Sequence, residues 1–291
     1  MDKLIIEVRA NEYMPRDVNP NVPFTPAELA RDAAAVEAAG ASMIHFHARD
    51  DDGAPAHAYE RYRDSIRAIR EASRLIVHPT LGQITIKGDE ARVAHIPRLV
   101  ADGLKPEFGS VDLGSTNIDI YDYETKSFTS QDKAYVNSTR TLTFLLKAFQ
   151  EVGVRPVIAC WSVPFVRTID AFVDMGLLPE PVFALLIHSG GGQFGAHPPT
   201  PAGLRAYLDC LPPRNIVWSV SAKPGNLFAT AAQAIQLGGH VSIGIGDHTY
   251  AELGTPTNAE LVTRIVEIAR ACGRAVATPD EARRILGLDP R

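Results

Sequence analysis

The chain has 291 residues, of which 45% are hydrophobic and 22% are charged, a size and composition that suit one large α/β barrel or two smaller domains. Its formal net charge is −5, from 29 basic and 34 acidic residues, with no basic block, which argues against nucleic acid and anionic membranes as partners. The three cysteines are far apart, and no apolar run approaches the length of a membrane span. We therefore expect a cytoplasmic protein without a disulfide framework or a zinc–thiolate site.

Eight short apolar runs predict β-strands, in chain order at 4–10, 42–48, 75–79, 107–113, 155–161, 182–188, 215–221 and 240–247. Segments of helical period follow them, at 25–40, 61–72, 89–101, 138–153, 163–176, 200–211, 227–239 and 258–273, with a short terminal helix at 278–288. The clearest helix begins at Thr25, where Pro26 suits the first turn and Glu28 completes a capping box. This alternation is typical of parallel βα units, and eight units predict a (β/α)₈ TIM barrel forming one domain over residues 1–291.

The longest segment without a predicted helix or strand is 114–137, directly after the fourth strand. Loops of this length are usually functional or disordered. In a TIM barrel this loop follows a strand on the C-terminal face, where catalytic groups gather. We therefore expect the segment to lie beside the functional site.

Two histidines, His45 and His47, flank Phe46 at the end of the second predicted strand. Side chains alternate between the faces of a strand, so both imidazoles point into the upper lumen while Phe46 faces the helix layer. Imidazoles on Cα atoms about 6.5 to 7 Å apart can reach one metal ion. The pattern favours a catalytic zinc site, which needs a third protein ligand and an open position. The alternative is a pair of hydrogen-bonded core histidines.

Further polar residues lie at the same ends of other predicted strands. They are Asn11, Glu12, His78, Thr80, Ser110, Asp112, His188, Ser189, Ser221, Lys223, Asp247 and His248. The carboxyl ends of barrel strands converge, so groups remote in sequence meet there. Half or more of these residues are explained equally well by helix capping or by hydrogen bonds to the loop backbone.

Four segments stand out: VPFTPAELARDAAAVEAAGASMIHFHARDDDGAP, KPEFGSVDLGSTN, GGHVSIGIGD and ATPDEARRIL. Together they resemble the β-keto acid cleavage enzyme family. The most specific motif is HxHxRD, and the resemblance runs essentially from end to end. It implies an oligomeric, zinc-dependent TIM barrel. The implied reaction converts a β-keto acid and acetyl-CoA into acetoacetate and a new CoA thioester, with zinc polarising the β-keto group.

The resemblance also implies roles for individual residues. His45 and His47 correspond to the metal ligands. Thr80 and Ser110 correspond to the family's hydroxyl residues after the third strand and in the fourth, and Asp247 corresponds to an aspartate of the base machinery.

Three positions depart from the family pattern, whose ending GGHxRxGxED reads GGHVSIGIGD here. Ser242 stands in place of an arginine that assists deprotonation, and Gly246 stands in place of the third zinc ligand. Tyr13 aligns with a glutamate that pairs with the arginine, although Glu12 is adjacent.

Position alone suggests how these losses are compensated. Glu12 and His248 are the candidates for the third ligand, with Asp247 behind them, and Glu12 is favoured because the first strand neighbours the second. Lys223 is the candidate for the missing positive charge. Together with Asn11 and Asp112, it is also predicted to contact the substrate.

Two other functional classes remain open on the sequence. A metal-dependent hydrolase of the amidohydrolase kind also combines an HxH pair with an aspartate after the eighth strand, and His188 would supply a middle-strand ligand. That class, however, carries HxH on its first strand. A barrel that binds a ligand without turnover is the third alternative, favoured by the departures. Dependence on acetyl-CoA separates the three.

Overall fold

The computed structural model describes residues 2–82 and 84–290, and the predicted barrel forms within them. Its strands are β1 (Ile6–Arg9), β2 (Met43–Phe46), β3 (Ile76–Pro79), β4 (Phe108–Asp112), β5 (Arg155–Cys160), β6 (Val182–His188), β7 (Ile216–Ala222) and β8 (His240–Ile243). They form one parallel sheet in the order β3-β2-β1-β8-β7-β6-β5-β4. The TIM-barrel prediction is confirmed. The boundaries 1–291 remain a prediction, and residues 1, 83 and 291 lie outside the described residues.

Helices surround this sheet and cover its apolar outer face. Within the described ranges they are α1 (Pro26–Ala39), α2 (Tyr59–Ala72), α3 (Asp89–Val93), α4 (His95–Ala101), α5 (Thr139–Val152), α6 (Val163–Asp174), α7 (Pro201–Leu208), α8 (Phe228–Gln236), α9 (Asn258–Ala271) and α10 (Pro279–Ile285). The capping box at Thr25 and Glu28 is present, and α1 ends at Gly40 with a φ of 117°. The single helix predicted at 89–101 is divided between α3 and α4. Among the described residues, no helix has both the length and the apolarity to cross a membrane.

The long segment after β4 folds into two small antiparallel ladders over the C-terminal face. One pairs Thr116–Asn117 with Ala134–Tyr135, and the other pairs Tyr121–Asp122 with Ser127–Phe128. Ile120 bridges to Gln193 in the loop after β6. The segment contributes two side chains, Ile120 and Tyr135, to the wall of the cavity described below, as its predicted location suggested.

The barrel closes in two different ways. Between its first and last strands it closes by backbone pairing, with Ile6 opposite Val241. In the described ranges, β3 and β4 are instead the two ends of the sheet, and a side chain spans the gap. The Glu107 carboxylate accepts the N–H of Val77 at 3.0 Å and a hydrogen bond from the buried Arg283 guanidinium at 3.1 Å.

Glu107→Ala is expected to lower the free energy of unfolding by about 3 kcal/mol, because it removes the closer and more buried of the two carboxylates that pair with the buried Arg283. Chemical denaturation measures the change. Arg205→Ala is the control: it removes an exposed ion pair with Asp209 on α7 and should cost less than about 1 kcal/mol. Equal effects of the two substitutions would contradict the closing role of Glu107.

Candidate metal centre and substrate cavity

A cavity of about 320 Å³ opens at the carboxyl ends of the strands. Most of its polar lining comes from six strands and the loops after them: Arg9, Glu12, His45, His47, His78, Thr80, Ser110, Asp112, Lys223 and Asp247. Apolar and aromatic side chains form the rest of the wall, among them Leu81, Ile84, Ile120, Tyr135, Trp161, Leu185 and Ile187. A mostly apolar cavity with a few convergent polar groups is the usual form of a small-molecule site.

Glu12, His45 and His47 form a buried cluster in this cavity, with one ligand atom of each lying within 4.8 Å of the others. The Glu12 carboxylate is 3.1 Å from Nε2 of His45 and 2.8 Å from Nε2 of His47. Neither ring nitrogen of His45 forms a well-directed hydrogen bond, and Oε1 of Glu12 has close contacts with Arg9 and His45 but no well-directed hydrogen bond. Burial lowers the pKa of His45 well below its usual range and that of His47 to about 4, so both imidazoles are neutral at pH 7. Neutral imidazoles and a carboxylate with unmatched polar atoms could hold a metal ion.

The turn after β1 aims Glu12 at the histidines. Glu12 has a φ of 41°, a left-handed conformation that is uncommon outside glycine and often marks a functional site. The Asn11 side chain secures the turn: it accepts the N–H of His47 at 2.9 Å and donates to the carbonyls of His47 and Pro23 at 3.0 and 2.9 Å. Its amide is thus fully occupied by backbone groups and does not line the cavity. This position does not suit the predicted role in substrate binding, and Asn11 supports His47 instead.

A buried network of charges surrounds the cluster. The Arg9 guanidinium lies 2.6 Å from Glu12, 3.4 Å from Asp247 and 3.9 Å from Glu7. Lys223 lies 2.5 Å from Glu12 and 3.7 Å from Asp247. Arg9 was missed at the sequence level, although Glu7 and Arg9 alternate with apolar residues along a buried strand. That spacing by itself points both charges into the lumen.

Asp247 is the carboxylate best suited to proton transfer. Both of its oxygens are buried without a hydrogen-bond partner. Burial raises the pKa of Asp247 to about 6, while Arg9 and Lys223 oppose the shift. A carboxylate with a pKa close to the working pH is an effective general base.

A second hydrogen-bonded chain crosses the lumen below the cluster. Nδ1 of His78 is 2.8 Å from Oε1 of Glu7, and Nε2 of His78 is 2.7 Å from Oγ of Ser110. Ser242 donates its hydroxyl to the other oxygen of Glu7 at 2.6 Å. Burial lowers the pKa of His78, and the contacts with His78, Arg9 and Ser242 hold the pKa of Glu7 below its usual value.

Comparisons with known proteins match nearly the whole length of this chain. A model of the beta-keto acid cleavage enzyme family matches residues 3–288. The 3-keto-5-aminohexanoate cleavage enzyme of Acetoanaerobium sticklandii is 34% identical over 292 residues, which cover 99% of each chain. The chain belongs to the β-keto acid cleavage enzyme family.

Two further relatives extend the comparison. The 3,5-dioxohexanoate:acetyl-CoA acetone transferase of Paraburkholderia graminis is 27% identical over 289 residues, covering 93% of this chain and 91% of its own. The apo structure of ObcA matches with a TM-score of 0.69 at 16% identity, over 92% of this chain and 66% of ObcA. At that identity the structural match supports the barrel fold alone.

The family resemblance implies a third metal ligand at position 246, where this chain has a glycine. The geometry gives a physical reason for that glycine. A Cβ atom at Gly246 would lie 2.7 to 2.8 Å from backbone atoms of Arg9 and Asn11, which is too close for any side chain. The same stretch of backbone carries Glu12 into the cluster. Of the two predicted alternatives for the third ligand, Glu12 lies in the cluster. His248 contacts Glu252 at 3.2 Å and lies outside it.

The arginine that the family resemblance implies at position 242 has a candidate counterpart in Arg9, on the neighbouring strand β1. Ser242 is opposite Glu7 in the pairing of β1 with β8, and Arg9 follows two residues later on the same face. Arg9 therefore brings a buried guanidinium near Glu7, the carboxylate that the Ser242 hydroxyl contacts, and near Asp247. Lys223, predicted for this role, adds a second and more exposed cation.

The remaining predicted residues are divided between the cavity and its surroundings. Thr80 lines the cavity while accepting the N–H of Gly82 at 3.0 Å. Asp112 lines it too, accepts the indole N–H of Trp161 at 2.7 Å, and has its pKa raised by burial. His188 lies with Nδ1 3.2 Å from the carbonyl of Ser221 and is not part of the cluster.

Glu12→Gln is expected to weaken zinc binding by at least about tenfold, because a neutral amide replaces the only carboxylate of the described cluster. Competition with a chromogenic chelator measures the affinity. His248→Ala, which alters the rejected candidate ligand, should bind zinc as the unaltered protein does. An unchanged zinc affinity in Glu12→Gln would remove Glu12 from the metal centre.

Proposed function

We propose that this protein is a zinc-dependent β-keto acid cleavage enzyme, which converts a β-keto acid and acetyl-CoA into acetoacetate and a new acyl-CoA. The observation that carries the proposal is the buried Glu12, His45 and His47 cluster beside Asp247, in a cavity large enough for a small acid. Family membership and the activities for which the relatives are named support the proposal. The proposal includes a homo-oligomer, which the family resemblance supports, and a cytoplasmic location, which the three widely separated cysteines support.

The chemistry begins with removal of a proton from the carbon between the carboxylate and the β-keto group. Asp247 takes this proton. Arg9 and Lys223 lie close enough to stabilise the ionised form of Asp247, which is the form that accepts the proton. Zinc, held by Glu12, His45 and His47, would polarise the β-keto oxygen and so lower the cost of the carbanion. The apolar wall excludes water, which strengthens every electrostatic interaction within the cavity.

The remaining steps exchange acyl groups. The carbanion attacks the thioester carbonyl of acetyl-CoA, which forms a carbon–carbon bond and releases CoA. The CoA sulfur then attacks the original β-keto carbon, and the bond from that carbon to the α-carbon breaks. The α-carbon leaves with the new acetyl group and regains a proton, giving acetoacetate and the acyl-CoA.

The hydrolase alternative has less support. Its middle-strand ligand, His188, lies outside the metal cluster, and the chain belongs to a different family. The non-catalytic alternative relied on the loss of an arginine and a glutamate. Arg9 and Glu12 bring a guanidinium and a carboxylate to the cavity, so this argument no longer favours it.

Acetoacetate is expected only when a β-keto acid, acetyl-CoA and zinc-loaded protein are all present. A panel of β-keto acids with and without acetyl-CoA, followed by acetoacetate and acyl-CoA analysis, tests this. Consumption of a β-keto acid at the same rate without acetyl-CoA would contradict the transferase and favour a hydrolase.

The rate constant kcat is expected to fall as the pH drops below about 6, since Asp247 has a raised pKa and must be ionised to accept a proton. Asp247→Asn should lower kcat by about 10²- to 10⁴-fold at pH 7.5. Steady-state kinetics over pH 5 to 8 give both values. Asp209→Asn, at an exposed site on the outer surface, is the matched control. A full kcat in Asp247→Asn would exclude Asp247 as the base.

A further inference from the structure

The first residue of helix α9 bridges the two loops that carry Glu12 and Asp247. Asn258 is buried. Its side-chain oxygen accepts the N–H of Ile245 at 2.9 Å, and its side-chain nitrogen donates to the carbonyl of Ala10 at 3.1 Å. Ala10 lies two residues before Glu12, and Ile245 lies two residues before Asp247. One amide therefore joins the backbone that leads to a proposed metal ligand with the backbone that leads to the proposed base.

The orientation of this amide follows from its partners. The N–H of Ile245 can only donate and the carbonyl of Ala10 can only accept, so the side-chain oxygen and nitrogen of Asn258 cannot exchange places. The second hydrogen of the nitrogen goes to the Asp32 carboxylate on α1, at 2.9 Å. The oxygen and both hydrogens of the amide are thus occupied, which holds the side chain in one orientation.

Regular pairing of β1 with β8 ends before these loops begin. Its last pair is Val8 with Ile243, so Glu12 and Asp247 each lie four residues beyond it. Contacts other than the sheet ladder must therefore set the positions of the two carboxylates. Asn258 supplies two such contacts, one to each loop.

The turn at Glu12 needs this support. Its φ of 41° lies in the left-handed region, and a residue other than glycine stays there only when the surrounding structure holds it. Asn11 holds the turn on the side of His47, and Asn258 holds it at the carbonyl of Ala10. Loss of the Asn258 contact would allow the turn to relax and would displace the Glu12 carboxylate.

We propose that Asn258 is a positioning residue that keeps the carboxylates of Glu12 and Asp247 in fixed relative positions. It acts through the backbone, since it is not among the residues that line the cavity. It therefore affects metal affinity and proton transfer together, although it touches neither zinc nor substrate. The inference rests on the proposed function for the roles of the two carboxylates, whereas the bridge itself belongs to the fold.

Asn258→Ala is compared with a matched control, Asn19→Ala. The Asn19 side chain also donates to two carbonyls, those of Thr249 and Pro256, and also accepts a backbone N–H, that of Asn21. It is as buried as Asn258 and does not line the cavity. The two substitutions remove similar hydrogen bonds and should lower the melting temperature by similar amounts, but only Asn258→Ala should disturb the site.

Asn258→Ala is expected to weaken zinc binding by about tenfold and to lower the kcat of the zinc-loaded protein by about 10- to 100-fold, because both carboxylates are displaced. Competition with a chelator measures the affinity. Steady-state kinetics with a β-keto acid and acetyl-CoA at saturating zinc measure kcat. Asn19→Ala should keep both values close to those of the unaltered protein. Equal losses in the two variants, or no loss in Asn258→Ala, would overturn the proposal.

Crystal structures of the metal-free variants test the bridge without turnover and without zinc. In Asn258→Ala the carboxylates of Glu12 and Asp247 should move by about 1 Å, whereas in Asn19→Ala they should stay in place. Asn258→Ser, which leaves room for a water to bond the freed backbone groups, replaces the alanine variant if that variant does not fold. Unmoved carboxylates would overturn the proposal. If they move but no β-keto acid reacts with the unaltered protein, the proposed function fails while the positioning role of Asn258 stands.

Discussion

The buried guanidinium of Arg9 is the charge around which the lumen is organised. A charge taken out of water must be paired with good geometry, or folding becomes costly. Arg9 is paired closely with Glu12, at 2.6 Å, and more distantly with Asp247 and Glu7, at 3.4 and 3.9 Å. Each of the three then contacts or serves a different part of the site: Glu7 orients His78, Glu12 faces the histidine pair, and Asp247 is the proposed base.

The two positions near the end of β8 that depart from the family pattern, Ser242 and Gly246, both contact β1. The backbone from Arg9 to Glu12 passes against Gly246 so closely that no side chain fits there. The same backbone delivers a guanidinium and a carboxylate from β1. In the proposed site, Arg9 and Glu12, from the first strand and the turn after it, supply the guanidinium and the carboxylate that the family resemblance implies on the last strand.

Much of this was predictable from sequence, because it depends on local patterns. Strand alternation predicts the inward direction of His45 and His47, and βα periodicity predicts the barrel. The chain from Glu7 to Ser110 could not be predicted in this way, because it depends on the register and twist that bring β1, β3 and β4 together. Asn11 was assigned to the substrate because it follows a strand, whereas the backbone groups that occupy its amide become visible only in three dimensions.

The most direct measurement is a crystal structure of the zinc-loaded protein with an anomalous difference map at the zinc edge. The central claim, that Glu12 has taken over as the third ligand, predicts one strong peak bonded to Glu12, His45 and His47. It also predicts that Arg9 still contacts Asp247. A zinc peak away from Glu12, with that carboxylate bonded only to Arg9 and Lys223, would contradict the claim.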